Sequence, residues 1–100
     1  MTLNDFVALL EDDKPDVGLP PLLQALWYEA RGDWERAHKI TQKENGTEAC
    51  WVHAYLHRKE GDLGNAGYWY ARAKRDVSSD SLDHEWRVIV SDLLAQDDAN

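Results

Sequence analysis

Tyr28-Glu29-Ala30-Arg31-Gly32-Asp33-Trp34-Glu35-Arg36-Ala37 and His57-Arg58-Lys59-Glu60-Gly61-Asp62-Leu63-Gly64-Asn65-Ala66 align without a gap at an offset of 29 residues. Each copy places a Gly-Asp pair between two helical patterns, with an alanine following the aspartate by four. Glycine accepts the left-handed backbone that ends a helix, aspartate caps the N–H groups that open the next, and alanine lets two helices approach closely. A further alanine, Ala25 or Ala54, lies seven residues before each glycine. One device used twice predicts two helix-turn-helix units, at about 20–44 and 47–75.

Outward from these corners, apolar residues recur three and four apart, the spacing of a buried helical stripe. Leu22, Leu26, Trp27 and Ala30 give the first helix of the first unit, opened by Pro20 and Pro21, whose missing N–H groups cost nothing in a first turn. Trp34, Ala37, His38 and Thr41 give its second. In the second unit, Ala49 to Leu56 are apolar around nearly the whole circumference, which predicts a centrally buried helix. Leu63, Ala66, Tyr70 and Ala73 then form a stripe. Flanking helices are expected at 2–11, from Leu3, Phe6, Val7 and Leu10, and at 81–95, from Leu82, Trp86, Ile89, Val90 and Leu93, with a fraying tail at Gln96–Asn100. The fold class is therefore all-α: one domain of five to six helices in antiparallel pairs.

The spacing Ala25, Tyr28, Gly32, Ala37 and then Ala54, Gly61, Ala66, Tyr70 resembles the tetratricopeptide repeat. The likeness covers about Pro20 to Ala73. It departs in its period of 29, in Thr41 and His57 where aromatic residues are expected, and in the missing closing prolines. The resemblance implies a right-handed superhelical stack, with the outer helices capping its ends. It also implies a groove lined by the first helix of each pair, Leu22, Leu26 and Glu29 with Trp51, Tyr55, Arg58 and Lys59, that binds a peptide or partner helix. Together with Tyr68 and Arg72, which share a helix face four residues apart, the expected contact set is Trp51, Tyr55, Arg58, Tyr68 and Arg72.

Composition narrows the partner. The net charge of −8 opposes nucleic acid as a main partner. The segment Arg31–Arg75, however, holds nine Lys or Arg against six Asp or Glu, so its centre suits an anionic group. A protein or peptide partner is the leading expectation. No apolar run reaches the roughly 20 residues that span a bilayer, and the first residues show no signal-peptide pattern, so a cytoplasmic, membrane-free protein is expected. The single cysteine, Cys50, reads as a buried thiol.

Candidate chemistry is sparse. His53 and His57, four apart on one helix, could share a metal with His38. Their register puts both on the inward face, and no zinc-protease glutamate or paired CxxC accompanies them, so packed, hydrogen-bonded histidines are the preferred reading, with neither metal nor cofactor assigned. Cys50 and His53 lack an obvious oxyanion site, and a non-enzymatic role follows. A metal-binding protein built on the histidines, and a homodimer covering surplus aromatic surface, stand as alternatives.

Overall fold

A computed structural model describes residues 1–99. It is all-helical: α1 (Leu3–Ala8), continued by a single 3-10 turn (Leu9–Glu11), α2 (Pro21–Ala30), α3 (Trp34–Gln42), α4 (Thr47–Glu60), α5 (Leu63–Arg72) and α6 (Leu82–Ala99). The local chemistry sets the boundaries. Thr2 and Asp5 form a reciprocal capping box on α1, Pro21 opens α2, and the Asp33 and Asp62 side chains accept the N–H groups of Arg36 and Asn65 at the starts of α3 and α5. Gln96 to Ala99 continue the last helix instead of fraying, and Asn100 of the expected tail lies outside the described residues.

The two Gly-Asp corners share one local geometry. Gly32 and Gly61 take φ of +89° and +90°, and Asp33 and Asp62 follow at φ −99°, ψ 72° and φ −88°, ψ 79°. Asp33 donates its N–H to the Tyr28 carbonyl and Asp62 to the His57 carbonyl, each at 2.9 Å, while the glycine N–H groups reach Glu29 and Arg58. This is the Schellman ending, in which a left-handed residue lets two late N–H groups close the orphan carbonyls of the helix. The same pattern recurs at the end of α5, with Lys74 at φ 60° in the left-handed position.

Packing follows the pairs. α2 lies on α3 and α4 on α5, and α3 joins the pairs by packing on α4. α4 is the central element, with Trp51 through His57 all buried, as its apolar circumference requires. Ala25, Ala37, Ala54 and Ala66 are at most 1% exposed and set how closely the helices approach. Ala66→Leu adds three carbons where α5 meets its neighbours, and is expected to cost about 1–3 kcal/mol through overpacking, read as a lower midpoint in urea. An unchanged midpoint would show that the joint has slack.

The outer helices do not cap the ends of a stack. α6 instead crosses α2 and α4, with α1 beside it, and so covers the first helix of each pair. Trp86 donates its indole N–H to the Leu26 carbonyl at 3.2 Å and meets the Phe6 ring at 5.8 Å. Ile89 and Val90 are fully buried beneath it. Two apolar helical faces left open by a short stack are too costly in water, and an amphipathic terminal helix is the nearest cover.

Candidate metal centre

On the opposite side of α4, between α3 and α5, three histidines converge. His53 and His57 are one turn apart on α4, so their side chains rise from the same face. His38 arrives from α3, fixed by the Asp33 corner that starts that helix. The three rings form a nearly equilateral triangle, with centroids 4.8 Å (His38–His53), 5.1 Å (His38–His57) and 4.9 Å (His53–His57) apart. One ligating nitrogen from each lies within 4.8 Å of the other two. His38 Nε2 and His53 Nε2 are hydrogen-bonded at 3.0 Å, a separation also close to the about 3.3 Å edge of a tetrahedron of nitrogens around zinc.

Two tryptophans hold the triangle. Trp34 stacks on His38 at 4.7 Å and 16°, and donates its indole N–H to the Leu56 carbonyl at 2.7 Å. Trp69 stacks on His53 at 3.9 Å and 10°. His38 and His53 therefore each lie against an indole plane, which leaves them little rotational freedom, while His57 meets Trp34 edge-on at 5.9 Å. His53 and His57 are 7% and 6% exposed, while His38 is half-buried at the rim.

The third histidine is oriented by polar partners. His57 Nδ1 is 2.6 Å from Glu60 Oε2, and its Nε2 is 3.4 Å from Asn65 Nδ2. An amide nitrogen only donates, and a carboxylate only accepts. These contacts therefore select the tautomer with the proton on Nδ1 and a lone pair on Nε2. A carboxylate behind a histidine is the usual outer-shell support of a metal ligand, fixing the ring and raising its basicity. Desolvation, followed by the charges of His38 and His57, pulls the His53 pKa down to about 4, and burial next to His57 lowers that of His38. Both rings are then neutral at pH 7, the form that binds a metal.

The five expected contact residues do not form one surface. Trp51 and Tyr55 are 5% and 2% exposed, and Arg58 is committed to α6. Its guanidinium donates to Glu85 Oε1 at 2.9 Å and also to the Asp80 carbonyl. The groove inferred from the repeat is filled by α6, so these three residues are internal. Leu26 and Glu29 are likewise buried, and Lys59 pairs with Glu29. Tyr68 and Arg72 remain outside on α5, where the guanidinium sits over Tyr68 at 5.6 Å and over Trp69 at 5.4 Å. Of the adjacent aromatic triplet, Tyr68 is the exposed member and Tyr70 the buried one.

The residues that complete the triangle, Trp34, Glu60, Asn65 and Trp69, escaped the sequence reading. Trp34 lies four before His38, Glu60 three after His57, and Trp69 four after Asn65. Those spacings were visible, but their convergence depends on how α3 and α5 dock on α4. No known family, curated protein or solved structure matches this chain.

Proposed function

We propose that this protein binds a divalent transition metal, zinc foremost, through His38, His53 and His57, on a tetratricopeptide-like scaffold formed by the α2–α3 and α4–α5 pairs. The observation that carries the reading is the set of three imidazole nitrogens within 4.8 Å of one another, with His57 turned toward the other two by Glu60. An all-imidazole set suits zinc, copper or nickel over magnesium or calcium, which require oxygen. The triangle needs to contract by at most about 1.5 Å to meet the tetrahedral spacing. Three protein ligands leave a fourth position for an external donor.

The sequence favoured packed histidines over ligands. Against packing alone stands the polarity of the arrangement: His38 and His53 meet nitrogen to nitrogen at 3.0 Å, and His57 brings an Nε2 lone pair beside them with its Nδ1 proton directed away to Glu60. An interior that only needed filling is served by apolar side chains without these desolvated groups.

Metal-free protein titrated with zinc or cobalt is expected to bind one equivalent, with cobalt giving the visible bands of a four-coordinate site. His38→Ala, at the rim where truncation is tolerated, should lose that band while keeping the wild-type circular dichroism, and the His53→Ala/His57→Ala pair should bind none. Substoichiometric binding by the wild type, or full binding by His38→Ala, would remove the proposal.

A further inference from the structure

Between α3, α4 and α5, a cavity of about 320 Å³ opens along α4 and ends at His53. Its walls carry Gln42, Cys50, His53, Trp69 and Arg72, with Glu44 the one carboxylate among them. These residues continue the faces that build the histidine triangle. Gln42 is one turn beyond His38 on α3, Cys50 is one turn before His53 on α4, and Arg72 follows Trp69 on α5. One helical turn is about 5.4 Å, so the cavity begins a single turn from the triangle.

Arg72 is the one cationic side chain in the lining of this space. Among the described residues it has no carboxylate partner, and its one hydrogen bond runs to the Tyr68 hydroxyl at 3.4 Å. It is held in place by rings instead, over Trp69 at 5.4 Å, and Trp69 in turn stacks on His53 at 3.9 Å. The guanidinium therefore lies within about 9 Å of the His53 ring by these two steps. A guanidinium lying over aromatic rings leaves most of its planar fork of donors unused, the geometry that recognises a carboxylate or phosphate through two parallel hydrogen bonds. Three neutral imidazoles leave a bound divalent ion its full charge, which favours an anionic fourth donor. In a chain of net charge −8, His53 of the triangle and the arginine line one cavity, with Glu44 as its one carboxylate, so a metal on the triangle would make the net local charge positive.

We propose that this cavity takes a small oxyanion, a carboxylate or phosphate of a compact organic molecule, with Arg72 holding the anionic group beside the metal-bearing triangle that His53 brings to its wall. The inference rests on the metal reading above. The volume is at the low end for ligand pockets, which restricts the occupant to a few carbons.

The test uses the cobalt-loaded full chain titrated with acetate, succinate and inorganic phosphate, followed by the visible bands and by calorimetry. At least one anion should shift the bands with saturable binding. Arg72→Gln, a substitution on an exposed helix face, should leave the anion-free spectrum and melting temperature unchanged and weaken the anion at least tenfold. Arg36→Gln, a surface control away from the cavity, should bind as the wild type does. Equal anion affinity in the Arg72→Gln protein, or no anion effect on a cobalt-loaded wild type, would overturn the pocket while leaving the metal site standing. Absence of the cobalt bands in the wild type would overturn the metal reading and this inference with it.

Discussion

Glu85→Ala is expected to destabilise the protein by about 3–5 kcal/mol, the cost of breaking a buried ion pair on one side. Glu85 is 3% exposed and is the acceptor for three groups. Arg58 donates to Oε1 at 2.9 Å, the Tyr70 hydroxyl reaches Oε1 at 2.8 Å and Oε2 at 2.6 Å, and the Trp51 indole N–H lies 3.3 Å from Oε2. Burial, followed by the hydrogen bond to Glu85, raises the Tyr70 pKa, so the phenol stays protonated and remains a donor. With the carboxylate removed, Arg58, whose side chain is only 16% exposed, keeps its charge with the Asp80 carbonyl as its remaining acceptor, and two further donors lose their acceptor. Urea unfolding measures this directly. Arg58→Ala should cost a similar amount, and the double variant clearly less than the sum, because the two substitutions remove one shared network. A Glu85→Ala loss below about 1 kcal/mol, the range of a surface pair, would show that α6 is held by Trp86, Ile89 and Val90 alone.

Removing the carboxylate of Glu60 should weaken zinc by about 10–100-fold, the usual effect of losing the outer-shell partner of a ligating histidine. Glu60 sits at the end of α4 with its side chain 38% exposed, so Glu60→Ala removes little packing. Its hydrogen bond to His57 Nδ1 at 2.6 Å is the shorter of the two contacts that set the ring orientation and the tautomer. Without it only the longer Asn65 contact at 3.4 Å favours the Nδ1 proton, and part of the population presents a protonated Nε2 to the metal. The affinity is read by competition with a chelator, and the melting temperature of the metal-free protein serves as the control. A wild-type affinity in Glu60→Ala would mean that Trp34, Trp69 and the helix packing position His57 unaided. A large drop in metal-free stability would instead make Glu60 a structural residue of the α4 terminus.

Burial also leaves one oxygen without compensation. Among the described residues, Glu29 Oε2 is the only buried side-chain oxygen or nitrogen lacking a hydrogen-bond partner, although Glu29 Oε1 is paired with Lys59. Together with Arg58–Glu85, this puts two ionic links between helices distant in sequence, from α4 to α2 and from α4 to α6. Both cations belong to the run His57-Arg58-Lys59-Glu60 that also supplies a histidine of the candidate centre and the carboxylate behind it. The last turn of α4 thus serves the scaffold and the site at once, and the Gly61 corner that terminates it fixes all four residues together.

The helices, their order and the corners between the paired ones were legible in the chain because each depends on neighbours a few residues apart, whereas the far end of α6 was not. Glycine at a left-handed corner, aspartate one residue on and alanine four later determine a local geometry wherever they occur, and both corners adopt it. The apolar circumference of α4 likewise announced its central burial, and the alternation within Tyr68-Trp69-Tyr70 required one ring to face outward. What no local pattern could decide was which faces meet. Whether the surface over α2 and α4 stayed open as a groove depended on α6 folding back across it, and a terminal amphipathic helix reads the same whether it caps an end or covers a face. The pairing of His38 with His53 and His57, and their enclosure by Trp34, Trp69, Glu60 and Asn65, rests on α3 and α5 docking on either side of α4, because contacts between residues far apart in sequence exist only after the helices have packed.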